Sequence, residues 1–125
     1  MGDKVYTDPN ANIVREINTG HITGAASASM QKFLSFQKTK LKKVHALVVT
    51  AGTHAAAAVD VYVGTTSVGS LAFGTNTAGS VLHSGAINAD VPANGMIELR
   101  GAANSATLVG AFSIEHQVAV DADVS

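Results

Sequence analysis

Cysteine and tryptophan are absent from this chain of 125 residues. The lack of cysteine excludes a disulfide framework, a thiolate zinc site and a thiol nucleophile. No apolar run approaches the roughly 18 residues that a membrane helix needs, and the start MGDKVYTDPN has no apolar core of a secretory signal. These absences predict a soluble protein that is made in a cytoplasm and has no membrane partner.

Charged and aromatic residues are also scarce, at 14% and 5% of the chain. Hydrophobic residues make up 46%, carried mainly by Ala, Val, Leu and Ile, and 12 glycines are spread among them. This mixture is typical of short strands and tight turns. A chain of this length buries enough surface for one core, so a single globular domain is expected.

The few charges are unevenly distributed. Residues 1–43 hold seven of the eight basic groups and three acidic groups, a net charge of +4, whereas the remainder carries −5. This asymmetry predicts that the N-terminal part contacts an acidic partner, although lysines at a strand edge also prevent unwanted sheet pairing. Nucleic acid is not the expected partner, because the total charge is −1 and no exposed aromatics are interleaved with the lysines. The candidate partner-contact residues are Lys4, Arg15, Lys32, Lys38, Lys40, Lys42 and Lys43.

The chain changes character near residue 29. Residues 1–28 are polar and rich in turn formers, which predicts an extended N-terminal arm without packed structure. Residues 29–125 form the predicted β-domain. Within it, KKVHALVVTA (42–51) indicates a central strand that is apolar on both faces.

Further strands are predicted from alternation and turn signals. The final stretch is the clearest, because apolar residues alternate with polar ones over about a dozen positions. Seven or eight short strands separated by turns predict an all-β fold, an antiparallel, jelly-roll-like β-sandwich. The predicted strands after the central one are 59–63, 68–73, 81–87, 96–100 and 108–120, with turns at 64–67, 74–79 and 92–95.

The sequence contains no recognisable catalytic or metal-binding motif. Histidines at 21, 45, 54, 83 and 116 form no His-x-His pair, so we expect surface or sheet-face residues, with His116 either a hydrogen-bonded core imidazole or a residue at the rim of the sandwich. There is no Gly-x-Ser-x-Gly elbow and no phosphate-binding loop. Asp60, Glu98 and Glu115 occupy the outward parity of their strands, away from any common pocket. No enzymatic activity, metal or cofactor is predicted.

Three segments carry a family resemblance: VDVYVGTTSV (59–68), ADVPANGMIELRG (89–101) and GAANSATLVGAFSIEHQV (101–118). From about residue 44 to 118 the chain resembles the small jelly-roll decoration, or cement, proteins of tailed-bacteriophage capsids. The resemblance implies a homotrimer on the outer capsid surface of the virion, with extended termini that grip major capsid protein subunits. It implies a structural virion protein that stabilises the capsid, and the family has no catalytic residues.

Two other functions are compatible with a β-sandwich. One is a glycan-binding module of a fibre or surface adhesin, for which Tyr62 is the aromatic to test, since sugars stack on aromatic rings. The other is a cupin-like metalloenzyme.

Overall fold

The structure, a computed structural model, describes residues 14–118, and side chains from Arg15 onward. This part of the chain contains no helix long and apolar enough to span a membrane. It forms nine strands: β1 (Val14–Thr23), β2 (Ala28–Ser35), β3 (Thr39–Thr50), β4 (Ala58–Val63), β5 (Thr66–Ala72), β6 (Val81–His83), β7 (Ala89–Val91), β8 (Gly95–Gly101) and β9 (Val109–Val118).

The strands make two antiparallel sheets that pack face to face. The first sheet has the order β1-β9-β3-β6, and β7 pairs with the other end of the same edge of β3. The second sheet has the order β2-β8-β4-β5. If β6 and β7 are counted as one interrupted strand, this is the eight-stranded order of a jelly roll. The predicted all-β, jelly-roll-like sandwich is therefore confirmed.

The core lies between the sheets and is built from the side chains that point inward from each strand. Period-two alternation produces this arrangement, because successive side chains of a strand point to opposite faces. Phe73 and Phe112 meet at its centre with ring centroids 5.8 Å apart. The fully or almost fully buried apolar residues are Leu41, Val44, Ala46, Val48, Ala57, Val59, Val61, Leu71, Phe73, Val91, Ile97, Leu99, Leu108, Phe112 and Ile114.

The turns follow the predicted chemistry closely. Gly64, with φ of +61°, opens a two-residue connection between β4 and β5. In the PANG turn, Asn94 has φ of +61°, which asparagine tolerates better than most residues, and the Gly95 amide donates to the Pro92 carbonyl at 2.8 Å. The Gly64 turn therefore fixes the register of β4 against β5, whereas the PANG turn carries the chain from the first sheet to the second.

The boundary of the predicted arm is wrong. Residues 14–23 were assigned to an unpacked arm, but they form β1, an edge strand paired with β9 from Val14↔Gln117 to Thr23↔Val109. The pairing is irregular between Asn18 and His21, where the Phe112 amide donates to the Thr19 hydroxyl at 2.7 Å. Residues 14–23 therefore belong to the sandwich and not to an arm, and residues 1–13 lie outside the described range.

Two smaller predictions also need correction, and one strand was missed. The β3 strand is central but not buried on both faces, because Leu47 on its outer face is 44% exposed. The strand predicted for 81–87 ends at His83, since Gly85 adopts φ of +76° and the chain leaves the ladder before returning as β7. Strand β2 was not predicted, and it follows the corrected β1.

Candidate partner-binding surface

Three elements meet at one end of the sandwich, which we call the open end. Strand β1 begins here, β9 ends here, and the β2–β3 turn (36–38) lies beside them. Because Val14 pairs with Gln117, the chain segments before residue 14 and after residue 118 join the sandwich at this one place. Whatever the two terminal segments contact, they start from the open end.

A cleft of about 610 Å³ occupies the open end. One wall comes from the start of β1 and the end of β9, and the other from the end of β2 and the following turn. Its lining residues are Arg15, Glu16, Ile17, Leu34, Ser35, Phe36, Gln37, Thr39, His116 and Val118.

Two large apolar side chains on this cleft face solvent. Leu34 is 54% exposed and Phe36 is 77% exposed. Leu34 is on the outward parity of β2, opposite Met96 of β8, and Phe36 lies at the start of the turn, so neither enters the core. An exposed apolar cluster with a polar rim is a common mark of an interaction site.

The inner side of the cleft is polar and buried. Ser35 donates its hydroxyl to the Gln37 carbonyl at 2.7 Å, and its oxygen lies 3.2 Å from the Thr39 hydroxyl. These bonds tie the end of β2 to the β2–β3 turn and the start of β3, on either side of Phe36.

His116 lines the same cleft. It is 9% exposed, and its Nδ1 atom has no hydrogen-bond partner among residues 14–118, so of the two predicted alternatives it is the residue at the rim and not the hydrogen-bonded core imidazole. Burial lowers the pKa of His116, and the neighbouring Arg15 charge lowers it further. The ring is therefore neutral at neutral pH, and Arg15 is the positive group of the cleft.

Three of the seven predicted partner-contact residues lie near this end. Arg15 lines the cleft, and Lys38 is exposed in the β2–β3 turn. Lys40, at the start of β3, lies 3.6 Å from Asp90 in an exposed ion pair, which contributes little to stability.

The remaining predicted lysines are more dispersed. Lys42 and Lys43 follow on β3, where the ladder with β9 is irregular. Lys32 lies on β2 opposite Glu98, on the outer face of the second sheet. Lys4 is outside the described residues.

Glu98 lies on the outward parity of β8, as predicted, yet it is buried. It is only 2% exposed, because neighbouring side chains of the second sheet cover it. The Ser29 hydroxyl most strongly lowers the pKa of Glu98, burial opposes this, and Arg100 and Lys32 lower it further. The Arg100 Nη2 atom donates to Glu98 Oε1 at 3.1 Å.

Arg100 also covers Tyr62, the candidate sugar-stacking residue. The guanidinium carbon lies 4.7 Å from the centre of the Tyr62 ring, a cation–π contact. One face of this ring is therefore covered by Arg100, which reduces the ring surface on which a sugar can stack.

Comparison with protein-family models, with curated proteins and with solved structures found no match to this chain. The resemblance to capsid decoration proteins therefore stays a prediction.

The exposed apolar pair was missed by sequence reasoning. The signal was present in LSFQK (34–38), where Leu34 and Phe36 alternate with polar residues immediately before the lysine cluster. Alternation alone does not tell which face of a strand is covered, so the pattern was compatible with core residues.

Proposed function

We propose that this protein is a structural virion component that decorates a bacteriophage capsid and stabilises it by bridging major capsid protein subunits. The observation that carries the proposal is the open end, where exposed Leu34 and Phe36 border a cleft and both terminal segments join the sandwich. This surface is the contact region that we assign to the capsid.

The surface chemistry of the open end supports a protein partner, and the family resemblance of residues 44–118 is what points to a capsid. Jelly rolls also occur in lectins and cupins, so the architecture alone does not decide the function. The open end combines apolar area with the positive groups of Arg15 and Lys38. Apolar anchors with a charged rim suit a protein partner whose surface carries acidic groups.

A clamp of this kind acts by adding contact area across subunit boundaries. A standard protein interface buries about 1,600 Å² in total, more than one end of so small a sandwich supplies. Terminal segments that start beside the primary contact extend it at high effective concentration, and trimerisation multiplies the contacts. Each contact is then weak alone and effective in combination.

The glycan-binding alternative has less support among the described residues. Tyr62 is partly covered by Arg100, and the exposed aromatic ring of Phe36 lies beside a cleft lined by aliphatic and polar groups. A glycan array separates the two proposals: specific binding that is lost in Tyr62→Ala favours the adhesin.

The direct test is co-sedimentation with expanded empty shells of the major capsid protein encoded in the same genome. The intact protein is expected to pellet with shells and to be trimeric by light scattering. A variant without residues 1–13 keeps every described strand and is expected to fold and bind more weakly. Deletion of 1–28 is unsuitable, because it also removes β1. Absence of the intact protein from the shell pellet would refute the proposal.

A further inference from the structure

A pair of histidines lies on the outer face of the first sheet, apart from the open end. His45 on β3 and His83 on β6 are directly opposite in the antiparallel register. Their Nδ1 atoms are 2.7 Å apart, and the rings meet edge to face with centroids 4.9 Å apart. Two imidazole nitrogens from neighbouring strands therefore lie within hydrogen-bond distance of each other at the protein surface.

A carboxylate on the next strand orients this pair. The Nε2 atom of His45 lies 3.5 Å from Oε2 of Glu115 on β9. This contact favours the tautomer of His45 with its hydrogen on Nε2, which leaves a lone pair on Nδ1, directed at His83. Histidines that bind metals usually donate their other N–H to such a carboxylate.

We propose that His45 and His83 bind a divalent transition-metal ion through their Nδ1 atoms, with Glu115 as a positioning residue. Imidazole nitrogen is a suitable ligand for Zn²⁺, Ni²⁺ and Cu²⁺. Zn–N bonds of about 2.0–2.1 Å in a tetrahedral site place the two nitrogens about 3.3 Å apart, so the rings need to separate by only about 0.6 Å. His83 then carries its hydrogen on Nε2.

The site is open on its solvent side. His83 is exposed, and the His45 side chain is 26% exposed. Residues 14–118 contain no cluster of three or more potential metal ligands, so water or groups from a docked partner fill the other coordination positions. The bound ion joins the three-residue strand β6 to the central strand β3. Among the described strands, β3 is the one with which β6 pairs. Metal binding is therefore expected to stabilise the folded state.

Calorimetric titration of the intact protein with ZnCl₂, NiCl₂ and CuCl₂ tests the proposal. One ion per chain is expected, with Cu²⁺ bound most tightly. His45→Ala and His83→Ala should each lose at least tenfold in affinity, and Glu115→Gln should weaken binding about tenfold or more. His21→Ala is the matched control, because His21 is exposed on β1 and lies outside the His45–His83 pair.

A second measurement guards against variants that disturb the fold. In the wild-type protein, ¹⁵N NMR with Zn²⁺ should show metal shifts at Nδ1 of two histidines, and the melting temperature should rise saturably with Zn²⁺. Binding that survives in His45→Ala and His83→Ala, or a wild-type protein that binds no metal, would overturn the assignment.

Discussion

Truncating Phe36 is the sharpest perturbation of the proposed capsid contact. The side chain is 77% exposed, at the start of a turn that Ser35 holds through its own hydrogen bonds. Phe36→Ala should therefore leave the free energy of unfolding within about 0.5 kcal/mol of wild type, as is usual for exposed positions. If the open end docks on the capsid, the same change should weaken binding strongly.

The magnitude follows from the area that docking would cover. A phenylalanine side chain offers roughly 200 Å² of apolar surface, of which about three-quarters is available here. At about 25 cal/mol per Å², complete burial is worth almost 4 kcal/mol, and the methyl group that alanine retains reduces the difference. We expect the binding free energy to weaken by about 2–3 kcal/mol per protein copy, which raises Kd roughly 30- to 160-fold.

Val81→Ala is the matched control, because Val81 is 59% exposed on β6, away from the cleft. Both variants are titrated against shells by co-sedimentation, and their folding is checked by urea denaturation. Equal binding by Phe36→Ala and wild type would refute the assignment of the open end. Equal weakening by both variants would show that the loss of binding is not specific to the open end.

Three further predictions concern the sandwich itself. Ser105 is fully buried; its hydroxyl donates to the Ala58 carbonyl at 2.8 Å and accepts from the Ala58 amide at 2.9 Å. Ser105→Ala should therefore cost about 1–3 kcal/mol in urea unfolding, and a cost below 0.5 kcal/mol would contradict this account. Because folding lowers the pKa of Glu98 from its ordinary value of 4.5, its stabilising contribution is present above pH 4.5 and is lost as the pH falls through the folded pKa. Glu98→Gln should flatten this acid-side loss in a pH series of denaturation curves, and an unchanged slope would show that the carboxylate has no such role. A Cβ at Gly101 would overlap the Ala25 carbonyl. Gly101→Ala should therefore lower the melting temperature measured by calorimetry by several degrees. An unaltered melting temperature would show that the loop containing Ala25 moves to accommodate the methyl group at no cost in stability.

The sequence predicted most of the second half of the fold because its strands are buried on one face. Strand β9 alternates buried and less buried residues along most of its length, and its apolar period is visible in the sequence. The PANG turn and the Gly64 turn carry their own local signals. Together these features indicated an antiparallel sandwich without any tertiary information.

Strands β1 and β2 were missed for a physical reason. Both lie at sheet edges, and most of their side chains are exposed or half-buried, so apolar alternation is weak. The Thr19 hydroxyl also replaces part of the regular ladder in β1. Edge strands are specified by their partner as much as by their own residues.

The candidate surface was predictable only in part. Charge distribution drew attention to Arg15 and Lys38, but the exposure of Leu34 and Phe36 depends on which face of the second sheet β2 presents. The convergence of His45 and His83 depends on the register between β3 and β6, which are far apart in the chain. Neither feature has a local sequence signature.

Imaging shells to which the purified protein has been added, by cryo-electron microscopy, tests the central claim most directly. The account predicts ordered density for the jelly roll on the outer surface, with the β2–β3 turn and Phe36 facing the major capsid protein. Shells without added density, or bound protein whose open end faces solvent, would contradict it.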